Sequence, residues 1–232
     1  MENNLNKQLS SIEEKKKKKE EAFNKTIKRL DDVVDGIGNS MDQEIKETVT
    51  YLLLLGFNTT GSCAGHTTGR SFAFPYINIA PLDNQQLVYN EARKKITNEI
   101  CSKYNLTKIQ LVEEVNTLAD EEFIDKLVEL DETLGKTTEY KNWFKEFMAM
   151  GSKIDELLLE FYNSKNTTDN LDIIKQGSGF NEHGSVWRVE SRFSNKKRRE
   201  RETKPITIEE VQEAQEEMQK FTQFLKEKYF KI

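Results

Sequence analysis

"GFNTTGSCAGHTTGRSFAFPYINIA", residues 56–80, decides what kind of fold this chain adopts. The sequence on either side of it reads as helix. Gly56 stops a helical stripe, and "FNTTGS" then takes on the composition of a short strand. "GSCAGHTTGR" (61–70) interrupts it with three glycines. "FAFPYINIA" (72–80) returns as a second strand, with Phe72, Phe74 and Tyr76 separated from Ile77 and Ile79 by face. Pro75 favours an edge position for that strand, because it cannot donate to a ladder. A strand–loop–strand unit inside a helical chain makes the fold α+β rather than all-α.

The flanking patterns fill in the rest. Residues 1–35 carry Leu5, Leu9, Ile12, Phe23, Ile27, Leu30 and Val34 at helical spacing, around a solvated "EEKKKKKEE" (13–21). "DGIGNSMDQ" (35–43) breaks that helix, and Ile45, Val49, Leu52 and Leu53 mark the next. From 85 to 165 the pattern is helical. Its stripes are Tyr89, Ala92, Ile96, Ile100 and Tyr104, then Phe123, Ile124, Leu127, Val128 and Leu134, then Tyr140, Phe144, Phe147, Ile154, Leu157, Leu158 and Phe161. "TKIQ" (107–110) is a capping-box signature within it. Strand composition returns in "LDIIK" (171–175) and "VWRVESR" (186–192), on either side of "QGSGFNEHGS" (176–185). A second capping box, "TIEE" (207–210), opens a C-terminal helix bearing Val211, Ala214, Met218, Phe221 and Leu225. The expected architecture is an α+β fold with a small antiparallel sheet, a large helical insertion (85–165), and long N- and C-terminal helices. Residues 1–35 form an N-terminal helix, and 36–232 form one domain. Packing of the terminal helices on each other could support a homodimer.

Composition narrows the function classes. The chain has 232 residues, a formal net charge of -5 and a pI near 5.4. That balance gives no general attraction to nucleic acid or an anionic membrane; nucleic-acid contact would need a local basic patch such as "KKRRER" (196–201). "YLLLL" (51–55) is far below the roughly 20 residues of a membrane span. The two cysteines, Cys63 and Cys101, stand outside any CxxC pattern. The expectation is a cytoplasmic protein with reduced thiols. Two cysteines and two histidines make no zinc set without carboxylates, and no spacing fixes which carboxylates would serve, so no metal is assigned.

The chain's two histidines, His66 and His183, each fall in a glycine–serine loop between two expected strands. If the hairpins are sheet neighbours, the two loops could converge at one sheet end. The residue types suit an anion there. Glycines such as Gly65 let backbone N–H groups approach it, Thr59, Thr60 and Ser62 supply neutral donors, and Arg70 and Arg188 can pair with phosphate or carboxylate. His66 and His183 can donate hydrogen bonds or act as acid and base, and Cys63 is a candidate nucleophile or a packed turn residue. The ligand-binding candidates are therefore Thr59, Thr60, Ser62, Cys63, Gly65, His66, Arg70, His183 and Arg188. Any catalytic role falls to Cys63, His66 or His183.

"MDQEIKETVTYLLLLGFNTTGSCAGHTTGRSFAFPYINI" (41–79) resembles a segment of uncharacterised bacterial and phage proteins with a Ser-Cys-x-Gly-His loop followed by a Pro-aromatic strand. Cys63, Gly65, His66, Pro75 and Tyr76 match, and Ala64 stands where an acidic residue is the pattern. "NTTGSCAG" is also similar to the Thr-Thr-Ser-Ser-Cys-Ser-Gly-Arg motif of the wybutosine-biosynthesis family of tRNA-modifying proteins, with Gly61 for the first serine and His66 for the arginine. The resemblance implies a shared helix–strand–loop layout. Three functions follow as expectations. The first is binding of a small anionic, nucleotide-like metabolite at the Gly/Ser loops. The second is an enzyme of nucleotide or RNA-base modification at the same site. The third is a helical interaction protein with no ligand.

Overall fold

The computed structural model describes residues 2–34, 40–67, 73–82, 85–107, 111, 118–165, 171–176, 186–191 and 206–231. The elements run α1 (Glu2–Asp31), α2 (Gln43–Leu54), β1 (Thr59–Cys63), β2 (Tyr76–Ile79), α3 (Gln85–Tyr104), α4 (Leu118–Gly135), α5 (Thr138–Lys165), β3 (Leu171–Gln176), β4 (Val186–Ser191) and α6 (Ile208–Phe230). This is an α+β fold. Residues 108–110 of the "TKIQ" box, Phe72 and the "KKRRER" run lie outside the described residues, as do Arg70 and His183.

The four strands form one sheet in the order β1-β2-β4-β3, with β1/β2 and β2/β4 antiparallel. Ile77 and Ile79 are fully buried while Tyr76 and Asn78 are half-buried, the two-residue alternation expected of a strand with one face on a core. The edge position inferred from Pro75 is not what the chain adopts: β2 lies between β1 and β4. Pro75 precedes the first paired residue, Tyr76, so the ladder loses no donor.

Register also decides where the loops leave the sheet. Cys63 pairs with Tyr76, and Tyr76 with Glu190, at one end. Thr59 pairs with Ile79, and Ile79 with Trp187, at the other. The chain thus leaves β1 toward the His66 loop at the sheet end opposite to the one where it enters β4. The second Gly/Ser loop (177–185), with His183, lies outside the described residues.

Two compact units are present. The first comprises residues 1–80, 151–176 and 187–232, and so includes both terminal helices with the sheet. Its core joins Ile45, Val49 and Leu52 of α2, Val211, Ala214, Met218, Phe221 and Leu225 of α6, Ile154, Leu157 and Phe161 of α5, and the buried residues of β2 and β4. Phe161 meets Phe221 and Phe224 edge-on, each pair with centroids 5.4 Å apart. Polar ties fix the helices: Lys46 on α2 is buried and ion-pairs with Asp31 at the end of α1. The hydroxyls of Thr48 and Thr222 meet at 2.6 Å between α2 and α6. Lys19 donates to the carbonyls of Tyr229 and Lys231 at the C-terminus of α6, where a cation is favoured by the free carbonyls. The second unit, residues 81–150 and 177–186, packs Ile100 of α3 with Leu111 and Ala119, surrounded by Ile96, Tyr104 and Phe123. No helix among the described residues is long and apolar enough to cross a membrane.

Candidate functional site

The loop after β1 is built around one glycine. Gly65 has φ +87°, and a Cβ there would lie 3.0 Å from Pro75 Cδ and 3.1 Å from the Ala73 carbonyl. Only glycine takes this conformation with this approach at no steric cost. The turn brings His66 opposite Ala73, with reciprocal backbone bonds of 2.9 and 3.1 Å. Gln215 of α6 holds the loop from behind, its amide donating to the carbonyls of Ala64 and Gly65 at 3.1 Å each.

Asp42 enters this loop from another element. It occupies the N-cap position of α2, where an aspartate would ordinarily accept from the first helical N–H groups. Its side chain makes no such bond. Instead Oδ2 accepts from the Ala64 N–H at 2.9 Å and stands 3.7 Å from His66 Nε2. Cys63 Sγ accepts from the Gly65 N–H at 3.3 Å. The ligand-capable atoms of Asp42, Cys63 and His66 all lie within 4.8 Å of one another. Cys63 is buried, His66 half-exposed and Asp42 intermediate. Burial pushes the Cys63 thiol above its ordinary range; the Gly65 N–H opposes this, the Asp42 charge adds to it, and the Arg188 charge opposes it. The thiol is therefore held protonated at neutral pH, which is a poor nucleophile.

These residues line a cleft of about 890 Å³. Its walls also include Arg29 of α1, Ser40, Asn58, Thr59, Thr60, Gly61, Ser62 and Tyr76. The ladder shifts register between Thr59 and Gly61, a bulge that sets Thr60 apart from its neighbours on this wall. Of the sequence candidates, Thr59, Thr60, Ser62, Cys63 and His66 share the cleft, and Gly65 shapes the loop. Arg188 is committed elsewhere: it donates to Asn78 Oδ1 at 2.9 Å, lies 3.9 Å from the buried Glu190 carboxylate, and covers the Tyr76 ring at 4.1 Å. Asp42, Arg29 and Gln215 were not legible as site residues. An aspartate just before a helix reads in sequence as an ordinary N-cap, and only the structure shows its side chain turned to the loop instead.

Comparison with family models, characterised proteins and solved structures gave no match.

Proposed function

We propose that this chain binds a small anionic ligand, nucleotide-like in size and polarity, in the cleft beside His66. The observation that carries this reading is the gathering of Arg29, Asn58, Thr59, Thr60, Ser62 and His66 around one cavity of about 890 Å³. Small-molecule sites are typically about 300–1,000 Å³, lined by a few convergent polar groups. Here hydroxyl, amide and imidazole donors converge with one guanidinium. Tyr76 adds an aromatic wall whose ring is held by Arg188. An enzyme of nucleotide or RNA-base modification using Cys63 as nucleophile is the weaker reading, because burial works against the thiolate it would need.

Isothermal titration calorimetry tests the proposal. Adenosine and guanosine monophosphates and triphosphates, and inorganic pyrophosphate, are titrated with and without an added divalent cation. At least one compound is expected to give a saturable heat. Arg29→Ala and His66→Ala should each weaken it roughly ten- to hundredfold, the value of one charge-assisted hydrogen bond of about 1.5–3 kcal/mol. No saturable heat with any compound at millimolar concentration would overturn the reading.

A further inference from the structure

We propose that Asp42, Cys63 and His66 form a three-ligand site for a divalent transition-metal ion, zinc by its donor chemistry, with a fourth coordination position open to the cleft. The inference is independent of the anionic-ligand reading, since it rests on the donor set alone.

The geometry carries it. The three donor atoms come from two elements and lie within 4.8 Å of one another. A tetrahedral zinc with bonds of about 2.0–2.3 Å holds its ligands roughly 3.3–3.8 Å apart. The 3.7 Å between His66 Nε2 and Asp42 Oδ2 is within a few tenths of an ångström of the roughly 3.4 Å of a nitrogen–oxygen pair on zinc. It is too long for a direct hydrogen bond. Cys63 Sγ lies within 4.8 Å of both other donors, so about an ångström of closure brings it to bonding separation.

The surroundings are those of a positioned ligand set. Metal ligands are usually oriented by hydrogen bonds from groups behind them. Asp42 Oδ2 receives the Ala64 N–H at 2.9 Å and Cys63 Sγ the Gly65 N–H at 3.3 Å. Gln215 fixes the peptide carbonyls of the same two residues. Asp42 leaves the helix end it could cap in order to stand there. A cap forgone is worth about 1 kcal/mol, and the Ala64 N–H that Oδ2 receives offsets it while holding the carboxylate at the loop.

The donor types choose the metal. One sulfur, one nitrogen and one carboxylate oxygen suit borderline zinc and disfavour magnesium and calcium, which take oxygen ligands. On binding, the Cys63 S–H bond breaks, its proton passes to solvent, and the sulfur's electron pair forms the bond to the ion as coordinated waters leave. Thiolate and carboxylate then neutralise the ion's two positive charges, while His66 binds as the neutral imidazole. Three protein ligands with one position left for water or ligand is the arrangement of reactive rather than purely structural zinc sites. All three residues line the cleft, so that position faces it.

Cobalt(II) spectroscopy on the full chain, stripped with chelator, provides the test. One equivalent of cobalt(II) should give visible bands of four-coordinate intensity and a near-ultraviolet thiolate-to-cobalt charge-transfer band. Zinc should displace it at stoichiometric concentration, and excess magnesium should not. Cys63→Ser should abolish the charge-transfer band, whereas Cys101→Ser should retain it. Because Cys63 is buried and its variant could fail to fold, the half-exposed His66 gives the second variant: His66→Gln should keep the wild-type circular dichroism and bind cobalt roughly ten- to hundredfold more weakly. Absence of the charge-transfer band in the wild type would overturn the proposal, as would a band lost in Cys101→Ser or affinity unchanged in His66→Gln. Any of those results would leave the nucleotide titrations unaffected.

Discussion

Single residues at the loop carry much of the site's geometry, and Gly65 is the sharpest case. Its φ of +87° is a left-handed conformation, and the space beside it is occupied by Pro75 and the Ala73 carbonyl. Gly65→Ala combines backbone strain with a steric conflict against a proline ring. We expect a loss of about 1–3 kcal/mol in urea unfolding and a weaker grip of the loop on His66. Wild-type stability in that variant would show that the turn relaxes freely. Cys63 makes a second prediction at this scale. Burial limits reagent access and keeps the thiol protonated, so iodoacetamide should label it slowly at neutral pH, faster only as pH rises past the ordinary cysteine range of about 8.5 or as the chain unfolds. Labelling at the rate of a free thiol at neutral pH would contradict its placement. The sequence made the loop conspicuous because chemistry-bearing residues crowd into ten positions. It could not show Asp42, whose partner Ala64 is supplied by tertiary contact rather than by spacing.

At the level of elements, local chemistry was legible where it is self-contained. "TIEE" is a full capping box in the structure: Thr207 Oγ1 accepts from the Glu210 N–H at 3.2 Å, and Glu210 accepts from the Thr207 N–H at 2.9 Å. Thr207→Ala should therefore cost about 1 kcal/mol. The helical stripes of α2 and α6 were legible for the same reason, since a 3.6-residue period reports burial directly. What the pattern could not report is how elements meet. Gly151 lies inside α5, where glycine costs a helix about 1 kcal/mol relative to alanine. Propensity alone would make Gly151→Ala stabilising. Packing reverses the sign: a Cβ at that position would stand 2.5 Å from Trp187 Cζ2 and 2.6 Å from Cε2. Trp187 is buried and fixed in β4, so the helix or the sheet must shift. Overpacking of this kind typically costs 1–3 kcal/mol. Thermal unfolding of Gly151→Ala should show a lowered midpoint, and a raised one would mean that the helix stands off the sheet.

For the whole molecule, the α+β class and the presence of two strand pairs could be read from the sequence, but the order β1-β2-β4-β3 could not, because turn chemistry fixes hairpins and says nothing of which hairpin strands adjoin. That order puts the sheet end at which β1 leads to the His66 loop opposite the end at which β4 begins, and Asp42, at the start of α2, stands beside the His66 loop. The same helix holds the first unit together at Tyr51, where α1, α2 and α6 meet. The Tyr51 ring stacks on Phe23 with centroids 4.8 Å apart and lies 6.0 and 6.4 Å from Tyr229 and Phe230. It is 2% exposed, and burial, aided by the Glu47 charge, pushes its phenol up to about 12. The folded state therefore favours the neutral phenol more than the unfolded chain does, whose phenol titrates near 10. The sign follows: this contribution is fully present below about pH 10 and is lost as pH climbs from there toward about 12. At pH 11 the unfolded chain has largely ionised and the folded one has not, a difference of about 1.4 kcal/mol against folding from this group alone. Tyr51→Phe removes the ionisation and keeps the ring. Urea unfolding at pH 8 and pH 11 should show a smaller fall in stability for the variant, by about 1 kcal/mol. An equal fall in the two would mean that the hydroxyl reaches solvent and that the three-helix junction is more open than its ring contacts imply.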